Sequence, residues 1–146
     1  MSDHGTAWLW IVTAVAGIES QLNAWLMSSH GLGLTEYRAI AHLSVAPDHE
    51  LRITELAQRV SLNQSSATRL VGRLESKGLA VRDTCPDDGR GVYAVLTDRG
   101  IFLARKLTTP YTDKLTELLN GFTINIQNDE AGTLRDAFRE IGDQIS

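Results

Sequence analysis

The stretch "ITELAQRVSLNQSSATRLVGRLESKG", residues 53–78, decides the fold. Ile53, Leu56, Ala57 and Val60 follow helical spacing, so residues 55–60 read as a short helix capped by Thr54. "SLNQ" is a tight break built from cap-type residues. Beyond it, Ala67, Leu70, Val71 and Leu74 recur at i, i+3, i+4 and i+7, which gives a second helix one clean inward face. Gly78 stands where a helix stops with a residue of positive φ. A short helix, a tight turn and a second helix with a defined inner stripe are the grammar of a helix-turn-helix.

With that stripe turned inward, the outer side carries Gln64, Ser65, Thr68, Arg69, Gly72, Arg73 and Lys77. Arg69, Arg73 and Lys77 fall at i, i+4 and i+8 and form one basic ridge. Glu75 is the only acid in this helix. Periodicity alone leaves two readings open. The face is either the solvated flank of an amphipathic helix, or a surface that enters a major groove. In the second reading Gln64, Ser65, Thr68 and Arg69 approach base edges, while Arg73 and Lys77 meet phosphates.

The segments that follow favour the groove. "LAVRDT" and "GVYAVLT", residues 79–84 and 91–97, have strand character and flank "CPDDGR". Together they make a β-hairpin. Gly89 and Gly91 tolerate positive φ and let the loop turn sharply around Arg90. An arginine on a narrow tip suits the negative potential of a narrow minor groove. Asp88 is spaced to restrain the loop, or Arg90 itself, through charge-assisted hydrogen bonds.

Residues 53–97 resemble the winged helix-turn-helix of the MarR family of bacterial transcriptional regulators. The resemblance is carried by "ELAQRV", by "SATRLVGRLESKGLAVR", by the Asp-x-Arg pair Asp88 and Arg90, and by the "LT" before the next helix. The flanking helices match the family plan, so it covers nearly the whole chain. It implies a homodimer on a pseudo-palindromic operator in double-stranded DNA. It places Gln64, Ser65, Thr68 and Arg69 toward the major groove and Arg90 in the minor groove. It also implies a small aromatic or phenolic effector, bound between the dimer helices and the DNA-binding lobe. Glu19, Trp25 and Tyr37 are the candidate effector-binding residues near that junction.

The rest of the chain fits a mainly α fold with a small β-hairpin wing. Residues 35–97 form the winged helix-turn-helix lobe. Residues 1–34 and 98–146 supply the N- and C-terminal dimerisation helices. Residues 7–29 read as one long helix, apolar nearly all round in its first half, and such a helix calls for burial against a partner subunit. Thr35 caps a helix through about Ala46, and "LRI" is a very short strand. Thr97 caps a helix interrupted at Pro110, with Thr109 as a fresh cap. "GFTINIQ" reads as irregular, and Asn128 caps a last helix that buries Leu134, Ala137, Phe138 and Ile141.

Bulk properties narrow the function further. A chain of 146 residues suits one domain with a real core. The formal net charge is −4, yet ten of the fourteen Lys and Arg residues lie between Arg52 and Lys106. Local charge is what steers a polyanion. "MSDHGT" lacks the positive flank of a secretion signal, and the apolar run after it is too short for a membrane span. One cysteine makes no internal disulfide, and the expected location is the cytoplasm. His4, His30, His42 and His49 have no metal-ligand spacing, and neither a phosphate loop nor a nucleophile elbow occurs. No metal, cofactor or enzymatic activity is expected. Two rivals remain: a winged helix that binds protein, which the acidic net charge allows, and a thiol-based regulator using Cys85.

Overall fold

Both helices of the 53–78 stretch form. The computed structural model describes residues 4–84 and 91–125, with the isolated positions 139 and 143. Five helices are present among these residues: α1 (His4–His30), α2 (Leu34–Val45), α3 (Ile53–Arg59), α4 (Gln64–Ser76) and α5 (Asp98–Asn125). A single 3-10 turn, Pro47–His49, follows α2. Three strands complete the order: β1 (Glu50–Arg52), β2 (Ala80–Thr84) and β3 (Val92–Leu96). The expected hairpin is therefore two thirds of a sheet. β3 lies at its centre, antiparallel to β1 through Leu51–Ala94 and to β2 through Val81–Val95.

By its internal contacts the chain divides into two units. One takes α1 through Trp25 together with α5 from Tyr111; the other is Leu26–Pro110. In the second unit Ala67, Leu70, Val71 and Leu74 have no exposed surface, so the whole predicted stripe of α4 is core. Ile53, Leu56 and Ala57 of α3 and Tyr37, Ile40 and Leu43 of α2 are buried with them in the same unit. In the first unit Ile11, Ala14, Ile18 and Leu22 are buried along α1. Trp8 and Leu9 nevertheless stay 61% and 66% exposed, and Val12 and Val15 are exposed as well.

Helix ends are set by backbone geometry more often than by the expected side chains. Thr35 and Thr54 lie inside their helices, and Gly33 and Arg52 occupy the N-caps with no side-chain bond. Starting α3 at Ile53 lets β1 run into it without a loop. Thr97 does cap α5: its Oγ1 accepts from the Gly100 amide at 3.1 Å and donates to the Gly78 carbonyl at 2.7 Å. α4 stops as predicted. Gly78 has φ +73°, its amide bonds to the Glu75 carbonyl, and the Leu79 amide reaches the Leu74 carbonyl, a Schellman stop.

α5 runs through Pro110 without restarting, so Thr109 is not a cap. Proline costs one hydrogen bond there, and the helix propagates on either side of it. "GFTIN", expected to be irregular, is the last helical stretch of α5. The expected final helix from Asn128, with Leu134, Ala137, Phe138 and Ile141, lies outside the described residues.

Two outcomes are expected from this packing. A β-carbon added at Gly100 would sit 2.1 Å from the Leu79 carbonyl oxygen, a backbone atom held by the Thr97 amide. Gly100→Ala should lower stability by about 1–3 kcal/mol in chemical denaturation. His42, half-buried on α2, has its pKa held below 6.5, first by desolvation and then by the charge of Arg59. The folded state thus favours the neutral ring. That contribution is complete above pH 6.5 and is lost as pH falls through the depressed value. The urea midpoint should fall between pH 7 and 5, and less steeply in His42→Gln.

Candidate nucleic-acid interface

The candidate surface begins at the turn between α3 and α4. The Leu62 amide folds back to the Ala57 carbonyl at 2.9 Å, and Ser61 takes φ +57°. Asn63 then caps α4, its Oδ1 accepting from the Ser66 amide at 2.8 Å. The first turn of α4 carries no acid, so the positive end of the helix dipole is left uncompensated. An anion is favoured there.

Gln64, Ser65 and Arg69 are exposed, as a groove-facing surface requires. Thr68 is half-buried and its Oγ1 donates to the Gln64 carbonyl at 2.9 Å. Arg69 Nη2 donates to Ser66 Oγ at 3.2 Å, which keeps the guanidinium along the helix near its N-terminal end. Gly72, expected on the open face, lies under Arg82: a β-carbon there would be 3.2 Å from Arg82 Nη2. Arg73 remains half exposed, with Nε 3.7 Å from Glu36 Oε1. Lys77 is committed internally. Its Nζ bonds Glu36 Oε2 at 2.5 Å and donates to the Gly31 carbonyl at 2.9 Å.

Two further residues, Arg82 and Arg52, join the surface that sequence reasoning did not select. Arg82 of β2 donates to the Thr68 carbonyl at 3.1 Å and pairs with Glu75 at 2.9 Å. Arg52 of β1 donates through Nε to the Tyr93 hydroxyl at 3.1 Å, with its guanidinium 5.5 Å from the ring centroid. An open cleft of about 240 Å³ lies among these groups. It is lined by Arg52, Thr54, Gln64, Thr68, Arg82 and the wing base at Val92. The only sequence signal for Arg52 and Arg82 was their place in the basic middle third.

The wing is described from its root to Thr84 and from Gly91. Cys85, Asp88 and Arg90 fall outside the described residues. Of the candidate effector residues, Glu19 and Trp25 are half-buried in the first unit and Tyr37 is buried in the second. Among the described residues, no three His, Cys, Asp or Glu side chains gather as metal ligands. No described helix is long and apolar enough to cross a membrane.

This arrangement is a winged helix-turn-helix, the architecture of a DNA-reading module. The family model of the MarR family matches residues 30–91. The regulator PapX of Escherichia coli is 28% identical over 95 residues, 65% of this chain and 58% of that protein. MhqR of Bacillus subtilis is 29% identical over 91 residues, 62% of this chain and 61% of that protein. Each of these matches thus spans about three fifths of the curated relative. The crystal structure of Sco3205, a MarR family transcriptional regulator from Streptomyces coelicolor in complex with DNA, superposes with a TM-score of 0.75. It is 26% identical and covers 94% of this chain and 84% of that one. Residues 30–91 are thus similar to the MarR family, and the fold is similar to that of a solved MarR family regulator.

The Asn63 cap holds the end of α4 that faces outward. Asn63→Ala should cost about 1 kcal/mol of stability by thermal or urea unfolding. Asn63→Asp should recover most of it.

Proposed function

We propose that this protein is a dimeric, sequence-specific DNA-binding transcriptional regulator of the cytoplasm. In this reading it is a repressor, released from its operator by a small aromatic or phenolic effector. One observation carries the proposal. α4 buries its apolar stripe completely and leaves an acid-free, side-chain-capped N-terminal half with Gln64, Ser65 and Arg69 exposed. Hydrogen-bonding groups and an arginine at that end are what base edges in a major groove require. The crystallised DNA complex of Sco3205 supports the same reading for a related chain.

Gln64, Ser65, Thr68 and Arg69 are the proposed base-facing set, with Arg73 beside the backbone. Arg90, restrained by Asp88, is proposed for the minor groove. Dimerisation is supported by the exposed apolar residues of α1, Trp8, Leu9, Val12 and Val15. A second copy of α1 offers a face of the same chemistry, and a two-fold dimer would read two half-sites. The effector, with Glu19, Trp25 and Tyr37 near its site, would act by binding the DNA-competent and incompetent states with different affinity.

The test is a salt series with duplex from the gene's own upstream region. Affinity should fall steeply with salt, with a log–log slope of about −0.9 per phosphate contacted. Arg69→Ala should lose about 1–3 kcal/mol of discrimination at one base pair. Arg90→Ala should bind more weakly with a shallower salt slope and an unchanged melting temperature. Absence of DNA binding at low salt would sink the regulator reading and leave a protein-binding winged helix. Unchanged operator affinity in Arg90→Ala would remove the minor-groove role. Release of bound duplex by a panel of aromatic acids and phenols, monitored by anisotropy, tests the effector.

A further inference from the structure

Glu36 is the one buried charged residue among the described residues, and its side chain is only 10% exposed. A buried carboxylate persists only when paired. Glu36 stands on α2, yet its cationic partners belong to the C-terminal end of α4: Arg73 in its last turn at 3.7 Å and the C-cap Lys77 at 2.5 Å. Lys77 also bonds the Gly31 carbonyl in the turn between α1 and α2. The C-terminal end of α4 is therefore tied to α2 and to that turn. Arg82 grips another ridge of the same helix, along Thr68, Gly72 and Glu75. At about 100° per residue, these two sets of positions are centred about 150° apart around the helix axis. Two grips so placed oppose rolling of α4 in either direction.

We propose that Glu36 is a positioning residue that sets sequence specificity: by holding Lys77 and Arg73 it fixes the rotation of the recognition helix, and Lys77 serves this clamp rather than a DNA phosphate. The inference rests on the DNA-binding reading above. A roll of about 20° moves side-chain tips by about 2 Å at the radius of a helix surface. That shift breaks a hydrogen bond to a base edge. Phosphate contacts by long cationic side chains carry no sequence information and tolerate the same shift. Loss of the clamp should thus reduce specific binding and spare non-specific binding.

The experiment uses the full chain as wild type, Glu36→Gln, Lys77→Met and the double variant. Anisotropy titrations compare a duplex selected from a random pool by the wild type with an unselected duplex, across a salt series. Thermal unfolding is followed in parallel. Each single variant should lower the specific to non-specific ratio about tenfold, and the double variant should be no worse than the weaker single. The salt slope on unselected duplex should stay at its wild-type value. A slope reduced by about 0.9 per subunit in Lys77→Met would make Lys77 a phosphate contact and overturn the proposal. An unchanged ratio in folded Glu36→Gln, or additive losses in the double variant, would overturn it too. If Glu36→Gln is unfolded at the assay temperature, Lys77→Met decides by the same two readouts. A wild type that binds neither duplex would instead sink the DNA-binding reading itself.

Discussion

The structure depends on one constraint: four side chains of α4, Ala67, Leu70, Val71 and Leu74, must leave water together. They lie on a single narrow stripe, so burying them fixes which side of the helix faces out. Everything polar on α4 is sorted by that act. Gln64, Ser65 and Arg69 fall outward because the stripe falls inward, and the Asn63 cap and Gly78 stop limit the helix to the length that the stripe spans. Apolar packing is non-directional, however. It selects the buried side to within the width of a stripe and leaves the finer rotation to directional contacts. Glu36 and Arg82 supply those contacts from different flanks.

The cations of the basic middle third are consequently not equivalent. Lys77 pairs with Glu36, Arg82 with Glu75, and Arg52 leans on Tyr93. Arg69 is engaged by the neutral Ser66 hydroxyl, which leaves its charge uncompensated by that contact. A count of basic residues therefore overstates the charge offered to a polyanion. Arg69 offers its charge at the N-terminal half of α4, where the helix dipole adds to it.

What the sequence made legible was local. The stripe of α4, its glycine stop, the two strands of the hairpin and the Thr97 cap each depend on residues within a few positions of one another. Thr35 and Thr54 were misread as caps because a β-branched hydroxyl is equally acceptable in a first turn, and the chain entering from Gly33 or from β1 decides the start. The end of α5 was misread because "GFTIN" has poor intrinsic helix propensity, a weak prior that an already propagating helix overrides. The clamp was invisible for a different reason. Glu36 is an acid in the first turn of α2, and its partner Lys77 is 41 positions away. Arg82 lies on β2, as its strand context predicts, but its reach across α4 to Gly72 is not readable from strand spacing. Periodicity reports which face a residue occupies and carries no information on pairing across elements. The resemblance to a known family supplied what lay beyond both, the effector and the candidate residues near its site.

A chain of net charge −4 gains little from bulk attraction to nucleic acid. A strongly basic binder can afford imprecise placement, because its affinity rests mainly on phosphates wherever they lie. In the proposed DNA-binding reading, a small non-specific term would leave affinity to contacts that exist only in register. Those contacts demand a recognition helix held in one rotation. In the proposed clamp, pairing Lys77 with Glu36 would serve both ends at once: it would give up a sequence-independent contact and help to hold α4 in one rotation. Under that proposal, acidic composition and a firmly held α4 would both favour selectivity against an excess of non-specific DNA.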